Sequence, residues 1–255
     1  MASSLTSHER QWLDYLKDIG FEELCLERSP EAQTHQAAEA TASVTAADAA
    51  PRPAETAPAT VAPVLEVSPP SGDLASLAES AAACTACKLS ERRKTVVFGS
   101  GRPDADLMFI GEGPGAEEDR QGLPFVGPAG EKLTQIIKAI GLERDAVYIA
   151  NVVKCRPPGN RDPEPEEVAA CRGYLEGQID QVGPRVIVAL GRVAAQMLLD
   201  TGAPLGRLRG EWHSVRGVPV RATYHPAALL RNPGYRAPTW EDMQIVRDRL
   251  AEEPA

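Results

Sequence analysis

The chain has 255 residues, of which 43% are hydrophobic and 25% charged, a composition typical of a globular protein with room for one sizeable α/β domain. No apolar run reaches the roughly 20 residues of a membrane span, and the N-terminus lacks the cationic start and apolar core of a signal peptide. We therefore expect a cytoplasmic protein without membrane contact, whose five cysteines suit metal binding better than a disulfide framework.

The net charge of −9 is distributed unevenly along the chain. Residues 1–72 contain 11 acidic and 4 basic residues, whereas the remaining residues are nearly balanced, with 25 acidic and 23 basic. Between Gly183 and Arg236 there are eight arginines and only two acids. This local arginine excess suits contact with phosphates, and a solvated surface explains it equally well.

The sequence of the first 72 residues predicts two segments outside the main domain. Residues 1–28 are expected to form an amphipathic helical segment, because apolar side chains recur there at roughly helical spacing. A short single helix needs a partner surface, so we expect it to dock on the main domain or on a repair or replication protein. Residues 29–72 predict a flexible, disordered linker, since they are rich in alanine and proline and contain few large apolar side chains.

Residues 73–255 are expected to form the folded domain. Buried strands are predicted at 106–111, 147–153, 185–190 and 218–224, with a candidate edge strand at 96–98. Helical patterns surround them at 73–82, 128–140, 164–181, 192–200 and 239–252. This alternation predicts an α/β fold with a mostly parallel central sheet flanked by helices on both faces.

Polar residues follow three of the predicted strands directly. Glu112 comes after the first, Asn151 lies at the end of the second, and His225 follows the last. Functional loops of parallel sheets lie at the carboxyl ends of the strands. The sequence therefore predicts that these three loops converge on one edge of the sheet.

Four of the cysteines have spacings that suit a shared site. Cys84 and Cys87 form a C-x2-C pair, and Cys155 and Cys171 bracket a proline-rich loop. Four thiolates suit either a tetrahedral zinc ion or a cubane iron–sulfur cluster, and their spacing does not decide between the two. Four unrelated buried cysteines are the alternative.

Three motifs resemble the family-4 uracil-DNA glycosylases, and the cysteine spacing matches as well. The motifs are GEGPGAEEDRQGLPFVGPAG at 111–130, NVVKCRPPGNRDPEPEE at 151–167 and HPAALLR at 225–231. The resemblance covers about residues 74–250. It implies a three-layer α/β sandwich, a [4Fe–4S] cluster on the four cysteines, and removal of uracil from DNA to leave an abasic site. The protein is expected to act as a monomer.

The resemblance also identifies the residues expected to bind uracil. An enzyme that acts on a base in DNA must extrude the base into a pocket. The amide of Asn151 has one donor and one acceptor, which match uracil O4 and N3–H. Phe125 is expected to stack on the base, although core packing is the simpler interpretation from the residues alone. Gly113 and Glu118 are expected to line the pocket, with Glu118 near uracil C5, where it would hinder a thymine methyl group.

Two further residues are expected to act on the bond that breaks. Cleavage of the N-glycosidic bond builds positive charge on the sugar and negative charge on uracil O2. Glu112 is the candidate carboxylate near the sugar, where it favours the positive charge and orients water; many related glycosylases have an aspartate in this role. His225 is the candidate donor to O2, and a neutral imidazole is sufficient for that bond.

The motif that begins at His225 also predicts contacts with DNA. Leu229 and Leu230 are candidates to wedge into the base stack, and Arg231 is the candidate for a flanking phosphate. Burial of one of the two leucines in a short helix is the alternative, and the sequence does not show which one.

Two other functions compete with a glycosylase. The first is a protein that traps uracil-DNA covalently through a histidine-bearing basic loop; the segment at 155–167, CRPPGNRDPEPEE, contains no histidine and no basic run. The second is a non-catalytic module that recruits a polymerase or repair partner through the N-terminal helix. The presence of Glu112, Asn151 and His225 favours catalysis over both.

Overall fold

A computed structural model describes residues 73–252 of the chain. The predicted N-terminal helical segment, the linker and the remaining cysteine, Cys25, lie outside the described residues. Within them, no helix is both long enough and apolar enough to cross a membrane.

The described part of the chain contains a six-stranded sheet with strand order β1-β3-β2-β4-β6-β5. The four central strands pair in parallel, and the two edge strands pair antiparallel. The strands are β1 Ser100–Gly101, β2 Leu107–Gly111, β3 Tyr148–Asn151, β4 Val186–Leu190, β5 Trp212–Val215 and β6 Val218–Thr223. Every residue of β2, β3 and β4 is buried, as expected for parallel strands that are covered on both faces.

Helices cover both faces of this sheet. They are α1 Leu74–Ala82, α2 Ala116–Gln121, α3 Pro128–Ala139, α4 Pro165–Val182, α5 Arg192–Leu199, α6 Leu205–Leu208, α7 Pro226–Arg231 and α8 Arg236–Ala251. Single 3-10 turns occur at Lys88–Glu91, Arg144–Ala146, Pro158–Asn160 and Pro233–Tyr235.

Alternate residues of β2 divide the core between the two faces. Phe109 packs with residues of α3 and α8, including Ile137 and Met243. Met108, next to it in the strand, points to the other side and packs with residues of α4, including Ile179. Side chains of successive strand residues point to opposite faces, so one short strand holds both helix layers. The predicted α/β fold with helices on both faces is confirmed.

The edges of the sheet differ from the prediction. The candidate edge strand at 96–98 is not a strand; β1 lies just after it and pairs with β3. A Cβ atom on Gly101 would overlap the carbonyl of Val147, so this pairing requires glycine. The other edge strand, β5, was not predicted, because its residues alternate between exposed and half-buried and form no apolar run.

Candidate active site

A cavity of about 480 Å³ lies at the carboxyl edge of the sheet. The loops after β2, β3 and β6 meet there, as the sequence predicted. Seven of the predicted site residues line it: Glu112, Gly113, Glu118, Phe125, Asn151, His225 and Arg231. A cavity of this size lies within the range of small-molecule sites and has room for a planar ring.

Asn151 ends β3 and lies at the floor of the cavity. Only 1% of its surface is exposed, and its side-chain oxygen Oδ1 is buried without a hydrogen-bond partner in the described part of the chain. A buried carbonyl oxygen is rarely left unpaired in a folded protein, because the lost hydration is costly. The amide of Asn151 therefore keeps an unused capacity to accept a hydrogen bond at the wall of the cavity.

Gly111 provides the space for this arrangement. It pairs with Asn151 across β2 and β3, so the two residues lie side by side. A Cβ atom on Gly111 would come within 2.5 Å of Asn151 Oδ1 and 2.6 Å of Phe125 Cζ. Only glycine allows the amide and the aromatic ring to approach each other here. Gly111 opens the GEGPG motif, and its contact with Asn151 and Phe125 depends on the pairing of β2 with β3.

Phe125 is held in an unusual backbone conformation at the cavity wall. Its φ of 52° lies in the left-handed region, and its side chain is 6% exposed. Arg144 Nη2 donates to the carbonyl oxygens of Pro124 at 2.8 Å and Phe125 at 3.0 Å, which fixes the turn. A Cβ atom on Gly130 would overlap the Phe125 carbonyl. Backbone strain that the surroundings maintain in this way is common at functional sites.

His225 faces the same cavity as a neutral imidazole. Its Nδ1 accepts a hydrogen bond of 3.1 Å from the backbone N–H of Ala227, so Nδ1 carries no proton and Nε2 does. Burial, followed by the nearby charge of Arg231, lowers the pKa of His225 to about 4. The ring centroid of His225 lies 5.5 Å from that of Phe125. The site thus contains an aromatic wall beside a neutral N–H donor.

The residue directly after β4 leaves space for the side chain of His225. The site loops follow β2, β3 and β6, and β4 lies between β2 and β6 in the sheet, so the three loops do not follow three adjacent strands. Gly191, directly after β4, has a φ of 93°, and a Cβ atom there would lie 2.9 Å from the Cβ of His225. A glycine at this point allows His225 to reach across the end of β4.

The two predicted acidic residues differ in their surroundings. Burial raises the pKa of Glu112 to about 7, with a further contribution from the negative charge of Asp162. Glu118 Oε1 accepts hydrogen bonds from the backbone N–H groups of Val126 at 3.1 Å and Gly127 at 3.3 Å. Glu118 is therefore fixed in place, whereas Glu112 is poised to gain or lose a proton near neutral pH.

The structure distinguishes the two leucines of α7. Leu229 is 1% exposed and packs in the core with α3 and α8, whereas Leu230 is 48% exposed. The assignment of Leu229 to DNA contact is therefore corrected, because it has almost no surface to offer. The open question of which leucine is buried is answered, and Leu230 with the neighbouring Arg231 remains as the candidate pair.

The four cysteines of the domain line a second, small cavity between α1 and α4. All four are free thiols, and burial raises the pKa of Cys171 to about 12. Arg93 Nη1 donates to Cys155 Sγ at 3.3 Å, and the backbone N–H of Lys154 donates to Cys171 Sγ at 3.3 Å. Such donors stabilise sulfur that carries negative charge.

The four cysteines share one space in the fold. All of them line the same small cavity, together with Arg93 and Lys154. Four cysteine thiols around one space are a donor set that fits an iron–sulfur cluster.

Comparisons with known proteins identify the family of this chain. The family model of the "Uracil DNA glycosylase superfamily" matches residues 98–244. A "Type-4 uracil-DNA glycosylase" of Thermotoga maritima is 48% identical over 176 residues, 67% of this chain and 91% of that protein. One of Sulfurisphaera tokodaii is 46% identical over 184 residues, 69% of this chain and 84% of that protein. A "Type-5 uracil-DNA glycosylase" of Pyrobaculum aerophilum is 35% identical over 153 residues, 52% of this chain and 66% of that protein.

Proposed function

This chain belongs to the type-4 uracil-DNA glycosylases, and we propose that it excises uracil from DNA in the cavity at the carboxyl edge of its sheet. It is a hydrolase of N-glycosidic bonds that acts in base-excision repair. The observation that carries the residue assignment is the buried, unpartnered oxygen of Asn151, which lies beside Phe125 and His225.

The cavity binds uracil after the base leaves the DNA stack. Asn151 Oδ1 accepts the hydrogen bond of uracil N3–H, and the amide nitrogen donates to O4. Cytosine presents an acceptor at N3 and a donor at C4, so it would oppose both groups. The ring of Phe125 stacks on the base, a contact of about 1–3 kcal/mol. Glu118, fixed by two backbone N–H groups, is proposed to exclude the methyl group of thymine.

His225 is proposed to stabilise the leaving uracil. The Nε2–H group of the neutral ring donates to O2, where negative charge develops as the bond to the sugar breaks. A pre-positioned donor of this kind contributes roughly 3 kcal/mol to the transition state. Because the pKa of His225 is about 4, the proton stays on Nε2 of a neutral ring and is not transferred.

Glu112 is proposed to act on the sugar side of the bond. In its ionised form it stabilises positive charge on the sugar and orients the attacking water, next to the Gly113 backbone. Burial raises its pKa to about 7, so Glu112 ionises near neutral pH. Catalysis by Glu112 therefore increases as the pH rises through neutrality.

The four cysteines are proposed to hold a [4Fe–4S] cluster. Their side chains line one cavity, and N–H groups of Arg93 and Lys154 donate hydrogen bonds to two of the sulfurs, which supports this proposal. When bound, the cluster supplies a covalent tie among α1, α4 and the segment that follows β3. Cys155 lies four residues after Asn151, so this tie would also help to hold Asn151, the proposed uracil-binding residue, in position. The purified protein is expected to be brown and to absorb broadly at roughly 400 nm.

On the outer rim, Leu230 and Arg231 are proposed to contact DNA. Leu230 is an exposed apolar side chain that is free to fill the gap left by the extruded base. Arg231 lines the cavity and is placed to bind a flanking phosphate. The cytoplasmic location, the monomeric state and a repair or replication partner for the N-terminal segment remain predictions.

A uracil-release assay tests the proposed function. The full-length protein is incubated with a labelled single-stranded oligonucleotide that contains one uracil. The expected products are free uracil and an alkali-labile site in the DNA. A stable protein–DNA adduct would indicate the covalent trap, and binding without either product would indicate the non-catalytic module. An oligonucleotide with cytosine in place of uracil is the control and should remain intact.

A further inference from the structure

Lys154 carries an ammonium group that is buried between the cysteine cavity and the uracil cavity. Its side chain is 2% exposed, and Nζ donates to the backbone oxygen of Asn151 at 2.7 Å and to Oε1 of Gln178. Gln178 is itself fixed, because its amide nitrogen donates to the oxygen of Phe98 at 2.8 Å and to the hydroxyl of Tyr148 at 3.1 Å. All of these partners are neutral.

A buried ammonium with only neutral partners needs a nearby negative charge. In the described part of the chain, no carboxylate forms an ion pair with Lys154, whereas the buried carboxylates of Glu167 and Asp242 are paired with arginines. A buried cation that lacks a counter-charge is strongly destabilising. The nearest candidates for negative charge are the sulfurs of Cys155, the next residue, and Cys171, which accepts a hydrogen bond from the Lys154 backbone.

The cysteine sulfurs, in turn, need nearby positive charge when they bind a cluster. Four thiolates contribute four negative charges, which exceed the positive charge of a cubane in its usual oxidation states. Arg93 is one cation that touches them, through its 3.3 Å contact with Cys155. Lys154 is a second cation, and its buried position means that water screens its charge very little.

We propose that Lys154 is the buried counter-charge of the cysteine-bound cluster and a positioning residue for Asn151. Its charge stabilises the cluster, and its hydrogen bond to the backbone oxygen of Asn151 holds that residue in position. The charge on the sulfurs and the position of Asn151 are then coupled through one side chain. The link to Asn151 rests on the proposed uracil excision, and the link to the cluster rests on the proposed [4Fe–4S] site, which the iron count tests on its own.

Lys88 provides a matched control within the chain. Like Lys154, it is next to a cysteine of the site, in this case Cys87. Unlike Lys154, its side chain is 52% exposed and forms a surface ion pair with Glu164. An exposed charge is screened by solvent, so its removal should affect the cluster only slightly.

The experiment compares full-length Lys154→Met and Lys88→Met with the wild-type protein, purified without oxygen. Iron and acid-labile sulfide are counted, and the one-electron reduction potential of the cluster is measured by spectroscopic titration. Loss of a nearby positive charge favours the more oxidised cluster, so Lys154→Met should shift the potential to more negative values. Lys88→Met should remain close to wild type. An unchanged potential in Lys154→Met with full iron content would overturn the proposal.

If Lys154→Met is obtained without iron, Lys154→Arg decides the outcome, because arginine keeps the charge and changes the shape. Iron retained in the arginine variant supports a counter-charge, and iron lost in both variants contradicts it.

Steady-state kinetics test the positioning role. The KM of Lys154→Met for uracil-DNA should rise severalfold, with a smaller change in kcat, and an unchanged KM would remove this role. Because iron content and potential are measured without substrate, failure of the proposed glycosylase function would be seen separately, as absent uracil release by the wild type.

Discussion

The proposed specificity for uracil is assigned to Asn151. Its side-chain oxygen is buried and has no hydrogen-bond partner among the described residues, and a ligand with a matching donor would supply one. A site built to pair with a polar ligand discriminates strongly against a group that leaves its buried atoms unpaired.

Asn151→Asp tests this pairing directly. The carboxylate loses the donor for uracil O4 and places a negative charge against that oxygen. The kcat/KM for uracil release should fall at least about 100-fold, measured with a uracil-containing oligonucleotide. Asn160→Asp is the matched control, since Asn160 lines the same cavity but is exposed at its rim. Equal losses in the two variants would refute the assignment of Asn151 as reader.

Glu112 and His225 have pKa values that are pushed in opposite directions by the same cause. Burial raises that of Glu112 to about 7 and lowers that of His225 to about 4. The carboxylate forms above pH 7, and the imidazole is neutral above pH 4. Both active forms are therefore present together above about pH 7.

The pH dependence of catalysis follows from these two values. The kcat/KM should rise between pH 6 and pH 8 and then level off, as Glu112 ionises. Glu112→Gln should lower the rate by about 100-fold or more and remove this rise. Glu117→Gln is the control, because Glu117 lines the cavity but is paired with Arg120 at the surface. A rise that persists in Glu112→Gln would assign it to another group.

At the scale of elements, glycines determine where the site loops meet. Gly111 makes room for Asn151 and Phe125, and Gly191 makes room for His225. Neither contact is visible in the sequence, because it depends on which strands are neighbours in the sheet. The order β3-β2-β4-β6 places an extra strand between two site loops, and only the structure shows this.

Gly111→Ala tests the packing beneath the uracil site. The added methyl group would lie 2.5 Å from Asn151 Oδ1, so the amide must move and uracil binding should weaken. We expect KM to rise and the protein to remain folded, checked by kinetics and thermal unfolding. Gly206→Ala is the control, since a Cβ atom there has open space around it. Unchanged kinetics in Gly111→Ala would contradict the geometry of the site.

The sequence predicted the elements that have strong periodic signals. The central parallel strands are largely apolar runs, and α3 has a clear apolar face, so these elements were recognisable. The half-exposed strand β5 and the short helices α2 and α7 have no such pattern. Burial of one of the two leucines in a short helix was the alternative in the sequence, but which leucine is buried depends on how α7 packs against α3 and α8.

At the scale of the whole molecule, one segment connects the two functional centres. The chain leaves β3 at Asn151, passes Lys154 and reaches Cys155 within four residues. The cysteine site and the proposed uracil site are therefore joined by this segment. The matched family region, at residues 98–244, contains Asn151, Cys155 and His225, whereas Cys84 and Cys87 precede it.

The predicted domain boundary can be tested by truncation. A protein that begins at residue 73 should release uracil from a short oligonucleotide at the full-length rate, because every proposed site residue lies after that position. Iron content should also be unchanged. A large loss of rate with normal iron content would show that residues 1–72 contribute to DNA binding or catalysis.

A crystal structure with uracil bound is the most direct test of the central claim, that Phe125, Asn151 and His225 surround one uracil ring. We predict that the Asn151 amide contacts N3 and O4 at hydrogen-bond distance, with His225 Nε2 near O2 and the Phe125 ring parallel to the base. Uracil bound elsewhere, or in the cavity with O4 directed away from Asn151, would contradict the account.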